Sequence, residues 1–269
     1  SKYAGLYYHK LHDHKWTGLA TRPWDYEGPE DQGGWDTVRI VKPPTFAATL
    51  NFAACAAQAA RLWQDYDASQ AATYLKEAKE AFAAFEKVYA TVGDADLTTT
   101  THPELDCDCP AEELNEHSLY APMWHAKGGG PYGDNEVKDD AYWAACELFS
   151  TTGDDQYYSY LSKYKNKNDG DGHDKALDIT CSLGGGENNG SFSSFNWGCT
   201  AGLGTLTLLL SDKTTAADKA TIEENIKRAA DTYIDFENNS TNGMGIPYKG
   251  TEFEDPINLG PGVKVEGYE

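Results

Sequence analysis

From Pro44 to Phe236 the apolar positions recur at helical spacing, with no sustained alternation of the kind a strand would need. Residues 45–66 (TFAATLNFAACAAQAARLWQDY) contain neither Pro nor Gly, which predicts a first helix whose many alanines let a neighbouring helix approach closely. Residues 68–89 predict a second, with Tyr74, Leu75, Ala78, Ala81, Phe82, Phe85 and Val88 on one stripe. The short DASQ link between them predicts an antiparallel helical hairpin. A second hairpin is predicted from residues 139–150 and 155–164, with Gly153 ending the first helix and Asp154 or Asp155 starting the next. A third is predicted from residues 200–210 and 215–236, where Ile222, Ile226, Ala229, Tyr233 and Ile234 keep the spacing of a buried face. Residues 1–42 show aromatic alternation and no helix of their own. Segments 92–138, 165–196 and 238–269 are rich in Gly, Asn and Asp and far longer than ordinary loops, so they are expected to carry function. Such an array leaves apolar faces open at its two edges, and something else is expected to cover them.

Charge narrows the partners. Lysine and arginine number 22 against 43 acidic residues, a formal charge of −21, which argues against phosphate backbones and anionic membrane surfaces. No run approaches the roughly 20 apolar residues of a membrane span, and the N-terminus lacks the basic-then-apolar pattern of a secretion signal. Seven Trp and 17 Tyr against two Met point to flat faces with polar rims, the kind of surface on which sugar rings stack, although many of these rings must also belong to the core. There is no Walker motif, no GxGxxG before a helix, no GxSxG elbow and no HExxH, so phosphate, nucleotide, serine-hydrolase and zincin chemistries have no support.

Five strings carry a more specific signal: YYHKLHDHKWTG (7–18), PPTFAATLNFAACAAQAAR (43–61), GGGPYGDNEVKDDAYWAACELFSTTGD (128–154), FNWGCTAGLGTLTL (195–208) and GIPY (245–248). In this order and spacing they resemble the catalytic modules of family 9 glycoside hydrolases, cellulases built as a barrel of six helical hairpins. The resemblance implies an all-α fold, part of an (α/α)6 barrel, with residues 1–269 a partial catalytic module holding about three of the six hairpins. It implies hydrolysis of β-1,4-glucosidic bonds in cellulose or related β-glucans by an inverting acid/base mechanism, in an extracellular, secreted protein. The partners would then be a β-glucan polysaccharide and the remaining parts of the same module. The family's DAGDHGKY-like stretch and its C-terminal acid glutamate have no counterpart here, so the general base and general acid are expected outside this chain and no catalytic residue is assigned within it. The alternative is a non-catalytic glycan-binding or scaffold helical array, which needs the aromatics but no carboxylate pair.

The same resemblance singles out substrate-binding candidates. His14 and Trp16, in HDHKW, match the place where the family sets a His against the sugar; the competing view is a surface turn with His9, His12 and His14 alternating outward. Tyr132 and Asp134 lie in the glycine-rich GGGPYGD before a helix, and Trp197 in FNWG opens another helix at the family's stacking position. Trp143, inside a helix, reads as core. Asp134, Asn135, Glu136, Asp139 and Asp140 place several hard oxygens within seven residues, which suits Ca2+, and the family's Asp-Glu pair reads Asp139-Asp140 here. The ligand set is taken as Asp134, Asp139 and Asp140, with a plain helix cap the competing role for Asp139. The further carboxylate the family places after FNW is missing. The acidic run at Asp169, Asp171 and Asp174 has the alternation of a calcium loop without the Gly and closing Glu of an EF-hand, and reads rather as a solvated turn. Cys107 and Cys109, with His102 and His117 nearby, suggest a weaker Zn2+ site. Cys181 and Cys199 are spaced for a disulfide that would hold Trp197, while Cys55 and Cys146 are expected to be buried thiols.

Overall fold

The computed structural model describes residues 4–13, 39–92, 119, 137–161, 176–179, 200–238, 250–254 and 264–268. Six helices form its body: α1 (Phe46–Trp63), α2 (Ala68–Val92), α3 (Lys138–Thr152), α4 (Asp155–Leu161), α5 (Ala201–Leu210) and α6 (Ala216–Asn238). Two antiparallel ribbons accompany them, β1 (Leu11–Asp13) with β2 (Arg39–Val41) and β3 (Gly250–Glu254) with β4 (Lys264–Tyr268).

The helix boundaries follow local chemistry. Thr45 caps α1 through its side chain, which accepts from the Ala48 amide at 3.3 Å. Asp67 Oδ1 takes the amides of Ser69 and Gln70 at 3.0 and 2.9 Å and so starts α2. Gly153, at φ 73°, ends α3 in the left-handed conformation, its amide returning to the Phe149 carbonyl at 2.7 Å. Asp154 then receives the Gln156 amide at 3.1 Å to begin α4, which is described as far as Leu161, short of the predicted residue 164. At α6, Thr215 accepts from the Asp218 amide and donates to the Asp218 carboxylate, a reciprocal cap.

The packing direction can be read from hydrogen-bond spacing. Between α1 and α3 the bonded pairs are Asn51 with Asp140, Gln58 with Glu147 and Arg61 with Thr151, separated by 89, 89 and 90 residues. A near-constant separation along the contact means that the two helices run parallel, since antiparallel partners would keep a constant sum of residue numbers. Between α3 and α5 the separations are 61 for Asp139 with Thr200, 63 for Tyr142 with Thr205 and 60 for Glu147 with Thr207, so these too are parallel. Thus α1, α3 and α5 form one parallel layer. Each is followed through a short link by the helix that packs behind it, which is the arrangement of successive hairpins in a helical barrel.

The middle helix, α3, is enclosed on all sides: every residue from Asp139 to Ser150 is buried. Close approach to α5 is possible because Gly204 has no side chain, and a Cβ there would lie 3.0 Å from both Cys146 Sγ and the Trp143 Cα. Aromatic contacts join the two sides of the layer behind. Phe82 of α2 meets Tyr157 and Tyr160 of α4 at 5.6 and 5.4 Å, and Phe46 meets Phe85 edge-on at 5.3 Å. Fully buried side chains such as Phe46, Leu50, Phe85 and Leu148 each contribute roughly 1.5 to 3 kcal/mol of burial.

Two buried positions expected from the sequence are corrected. Cys55 is exposed: the buried side of α1 is Phe46, Leu50, Ala53, Ala57 and Ala60, and Cys55 lies about half a turn of the helix wheel away from it. An alanine-rich helix is apolar nearly all round, so its sequence did not distinguish the covered face. On α6, Ile222 and Ala229 are buried as expected, but Ile234 is 50% exposed. Cys146 is a buried free thiol and Trp143 is core, as expected. No described helix is long and apolar enough to cross a membrane.

Candidate functional site

Parallel packing puts the N-termini of α1, α3 and α5 at one end of the layer and the short links within hairpins at the other. The long segments therefore run into the layer at a single end, at Lys42–Thr45, at Val137 and at Thr200. That end is also where the positive poles of three helices meet, an environment that favours negative charge.

Asp139 and Asp140 stand there, both only 2% exposed. Asp139 Oδ2 accepts the Thr200 amide at 2.8 Å, and Asp140 Oδ1 accepts from Thr200 Oγ1 at 3.0 Å and from Asn51 Nδ2 at 3.0 Å. The pair thus joins the second turn of α1, the first turn of α3 and the N-cap of α5. Asp139 is not the N-cap of α3, the competing role weighed for it: that position is Val137, and the Asp139 bond to Thr200 reaches another helix. As hard oxygen donors the two carboxylates fit one part of a Ca2+ shell, which needs six to eight oxygens. Among the described residues no group of three or more His, Cys, Asp or Glu side chains comes together to complete one.

Beside them, the chain before α1 is held by a line of hydroxyls. His9 Nδ1 lies 2.8 Å from Thr45 Oγ1, Thr49 donates to the Thr45 carbonyl at 2.8 Å, and the Tyr7 amide donates to Thr49 at 2.9 Å. The Tyr7 ring stacks on Phe52 at 3.9 Å. Lys42 is buried here, and burial, reinforced by the charge of Lys10, lowers its pKa to about 8.

His14, Trp16, Tyr132, Asp134 and Trp197 lie outside the described residues, as do Cys107, Cys109, Cys181, Cys199, His102 and His117. The described residues nearest to the substrate-binding candidates in the chain are Asp13, Val137 and Thr200. The last two open α3 and α5, and Asp13 belongs to the ribbon whose other strand leads into α1.

Two buried polar groups were not anticipated. Glu147, fully buried, bonds Arg61 at 2.8 Å, Thr207 at 2.7 Å, and Gln58 and Trp143 at 3.3 Å, tying the lower parts of the three parallel helices together. A glutamate inside the apolar run AYWAACELF was the available signal for a paired buried charge. The second is Asp178, buried and paired with Arg228 at 2.7 Å, beside the fully buried Tyr142 phenol. Burial holds the Tyr142 pKa well above its usual value, and it raises the neighbouring Cys146 thiol likewise, so both stay protonated near neutrality. No sequence pattern marked this group, because its members come from four separate segments, residues 176–179 and the helices α3, α5 and α6. Asp139, Asp140, Glu147 and Asp178 each make bonds that join helices or segments, which is a structural role for all four.

Comparison with known proteins accords with this geometry. The family model for glycosyl hydrolase family 9 matches residues 3–256. A cellulose 1,4-beta-cellobiosidase of Acetivibrio thermocellus is 37% identical over 257 residues, covering 93% of this chain and 24% of the relative. Endoglucanase C of Cellulomonas fimi is 38% identical over 157 residues, 58% of this chain and 11% of that protein. Among solved structures, a metagenome-derived family 9 endoglucanase superposes with a TM-score of 0.56 at 24% identity, covering 90% of this chain and 34% of that one. A thermostable endoglucanase from Alicyclobacillus acidocaldarius gives 0.56 at 20% identity, with 91% and 35% covered. These likenesses show the fold, and the chain spans about a quarter of the cellobiosidase and about a third of the solved structures.

Proposed function

This chain belongs to glycosyl hydrolase family 9, and we propose that within its polypeptide it forms one wall of a cleft that binds β-1,4-glucan for inverting hydrolysis. The observation that carries the proposal is the family match across residues 3–256, which takes in all three parallel helices and the segments that run into them. His14, Trp16, Tyr132, Asp134 and Trp197 are the residues proposed to touch the sugar. The general base and general acid come from other parts of the module, consistent with the structural roles of the four buried carboxylates described above. Further hairpins of that module cover the open face of α1, where Cys55 and Leu62 are exposed, and of α5, where Leu210 is 84% exposed. Residues 1–269 thus form a partial catalytic module, and secretion is proposed with it, as is the Cys181–Cys199 disulfide.

Calcium is proposed at Asp139 and Asp140 together with Asp134. An ion bound only to the folded state stabilises it by mass action. Chelation should therefore lower the melting temperature, and an Asp139→Asn, Asp140→Asn double variant should lose that sensitivity. A melting curve indifferent to chelator would leave the pair as a helix clamp alone.

The functional test is made on the full-length polypeptide with carboxymethyl-cellulose and a cello-oligosaccharide. Turnover is expected, and Trp197→Ala should weaken oligosaccharide binding by about three- to tenfold at an unchanged melting temperature, taking aromatic pairing as the guide to stacking strength. A collapsed melting temperature with affinity intact would assign Trp197 to the core. Binding without turnover would favour the non-catalytic glycan-binding alternative.

A further inference from the structure

Among the described residues Leu177 is the only non-glycine with positive φ, at 68°, a region that a branched side chain disfavours, and it is 95% buried. Such a conformation persists where the surroundings over-determine it. Here they do. The Leu177 amide donates to the Tyr142 phenol oxygen at 3.0 Å, the Leu177 carbonyl accepts from Asn225 at 3.1 Å, and the next carbonyl, Asp178, accepts from Thr205 Oγ1 at 2.6 Å. The Asp178 carboxylate pairs with Arg228, which also donates to Asn225 Oδ1 at 3.3 Å.

The proton positions follow by elimination. A carbonyl only accepts, so the single Thr205 hydroxyl proton goes to Asp178, and the 3.0 Å contact between Tyr142 and Thr205 must have the phenol donating. The relay therefore runs from the Leu177 amide to Tyr142, to Thr205, and back to the Asp178 carbonyl. It is a closed loop of directed bonds that begins and ends on the same turn and draws on α3 and α5, with α6 gripping the turn from another side. Tyr142 follows Asp140 by two residues, and helical side chains lean toward the N-terminus, so this grip lies beside the end of the layer where Thr200 meets Asp139 and Asp140.

We infer that residues 176–179 are a clamp, with Tyr142, Thr205, Asn225 and Arg228 as positioning residues for glucan binding: they fix the point from which the chain departs toward Trp197, as the Thr200–Asp139 bond fixes its return. This rests on the proposed role of Trp197. If release of the clamp leaves only a fraction of molecules competent to bind, the apparent affinity falls by that fraction.

Thr205→Val removes the relay hydroxyl at nearly constant shape, and Thr205→Ser restores it. Cellohexaose affinity and melting temperature are measured for both in the full-length polypeptide, beside Phe82→Leu as a destabilised control in the layer behind, between α2 and α4. Thr205→Val should bind about three- to tenfold more weakly while Thr205→Ser binds as the parent does. Hydrogen exchange at the Leu177 amide should speed up in the valine variant only. If the control loses as much affinity as Thr205→Val, or if Thr205→Val binds and exchanges like the parent, the clamp is overturned. Should the valine variant fail to fold, Arg228→Gln, at a side chain one-third exposed, replaces it with the same two outcomes. A parent that does not bind cellohexaose refutes the proposed function, and exchange at Leu177 then decides the clamp separately.

Discussion

The pair formed by Arg61 and Glu147 offers a quantitative test of the parallel layer. Glu147 is fully buried, whereas the Arg61 side chain is 34% exposed. Removing one partner of a buried ion pair costs about 3 to 5 kcal/mol, and the exposure of Arg61 reduces this to about 2 to 3 kcal/mol for Arg61→Met, which keeps most of the apolar stem. Glu147→Gln keeps an acceptor for Thr207 and Trp143 and leaves Arg61 able to turn to water, so it should cost only about 1 kcal/mol. In the double variant no charge is stranded, and the loss should be about 1.5 kcal/mol. The cycle then gives a coupling of roughly 1.5 to 2.5 kcal/mol, measurable by urea unfolding. Losses that add to within about 0.5 kcal/mol would show that the two side chains do not interact and that the assignment of Glu147 as a paired buried charge is wrong.

Two further outcomes follow from local geometry. Gly204→Ala forces a methyl to within 3.0 Å of Cys146 Sγ and the Trp143 backbone, so it should destabilise by about 1 to 3 kcal/mol despite the better helix propensity of alanine; a stabilised variant would mean that α3 and α5 are farther apart than described. For Lys42 the folded pKa is about 8 against 10.5, so burial of the charged form opposes folding below pH 8, and stability rises as pH climbs from about 8 to 10.5, where only the folded chain has lost the proton. Lys42→Met should therefore be more stable than the parent at pH 7, by up to about 3 kcal/mol, and the difference should shrink toward pH 10; a pH-independent difference would show that Lys42 is not buried as a cation.

How much of this was legible beforehand depended on the kind of signal. Helix ends were readable because their chemistry is local: Gly153 stops α3 and Asp154 starts α4 within a few residues of the pattern that announces them. Faces were readable on α2, where Phe82, Phe85 and Val88 stand out against lysines and glutamates, and all three are buried. They were not readable on α1, where alanine surrounds the axis, and Cys55 was misplaced for that reason. Asp139 looked like a cap because sequence shows only its own helix, and the Thr200 amide that it binds is 61 residues away. The Leu177 turn was invisible for the same reason: nothing in the segment itself indicates that Tyr142, Thr205, Asn225 and Arg228 converge on it.

The position of the polar pins explains why a layer so rich in alanine holds one register. Small side chains slide over one another with little change in packing, so apolar contact alone distinguishes poorly between α1 placed correctly against α3 and α1 displaced by a turn. Asp140 and Glu147 lie seven residues apart on α3, and their partners Asn51 and Gln58 lie seven apart on α1. Seven residues span about 10.5 Å, or roughly two turns, so both pins fall on the same side of each helix. A displacement of α1 by one turn would break both at once and take Asn51, Gln58 and Arg61 away from two buried carboxylates, a penalty of several kcal/mol that a slide of apolar surfaces would not incur. Thr200 and Thr207, again seven apart, repeat the device on α5 by meeting Asp140 and Glu147 from the other side. The same two carboxylates therefore set the axial position of all three parallel helices. The three segments that lead into them therefore enter at a fixed stagger, because Asn51, Asp140 and Thr200 meet at one level while lying five residues after, two residues after and one residue before the starts of their helices.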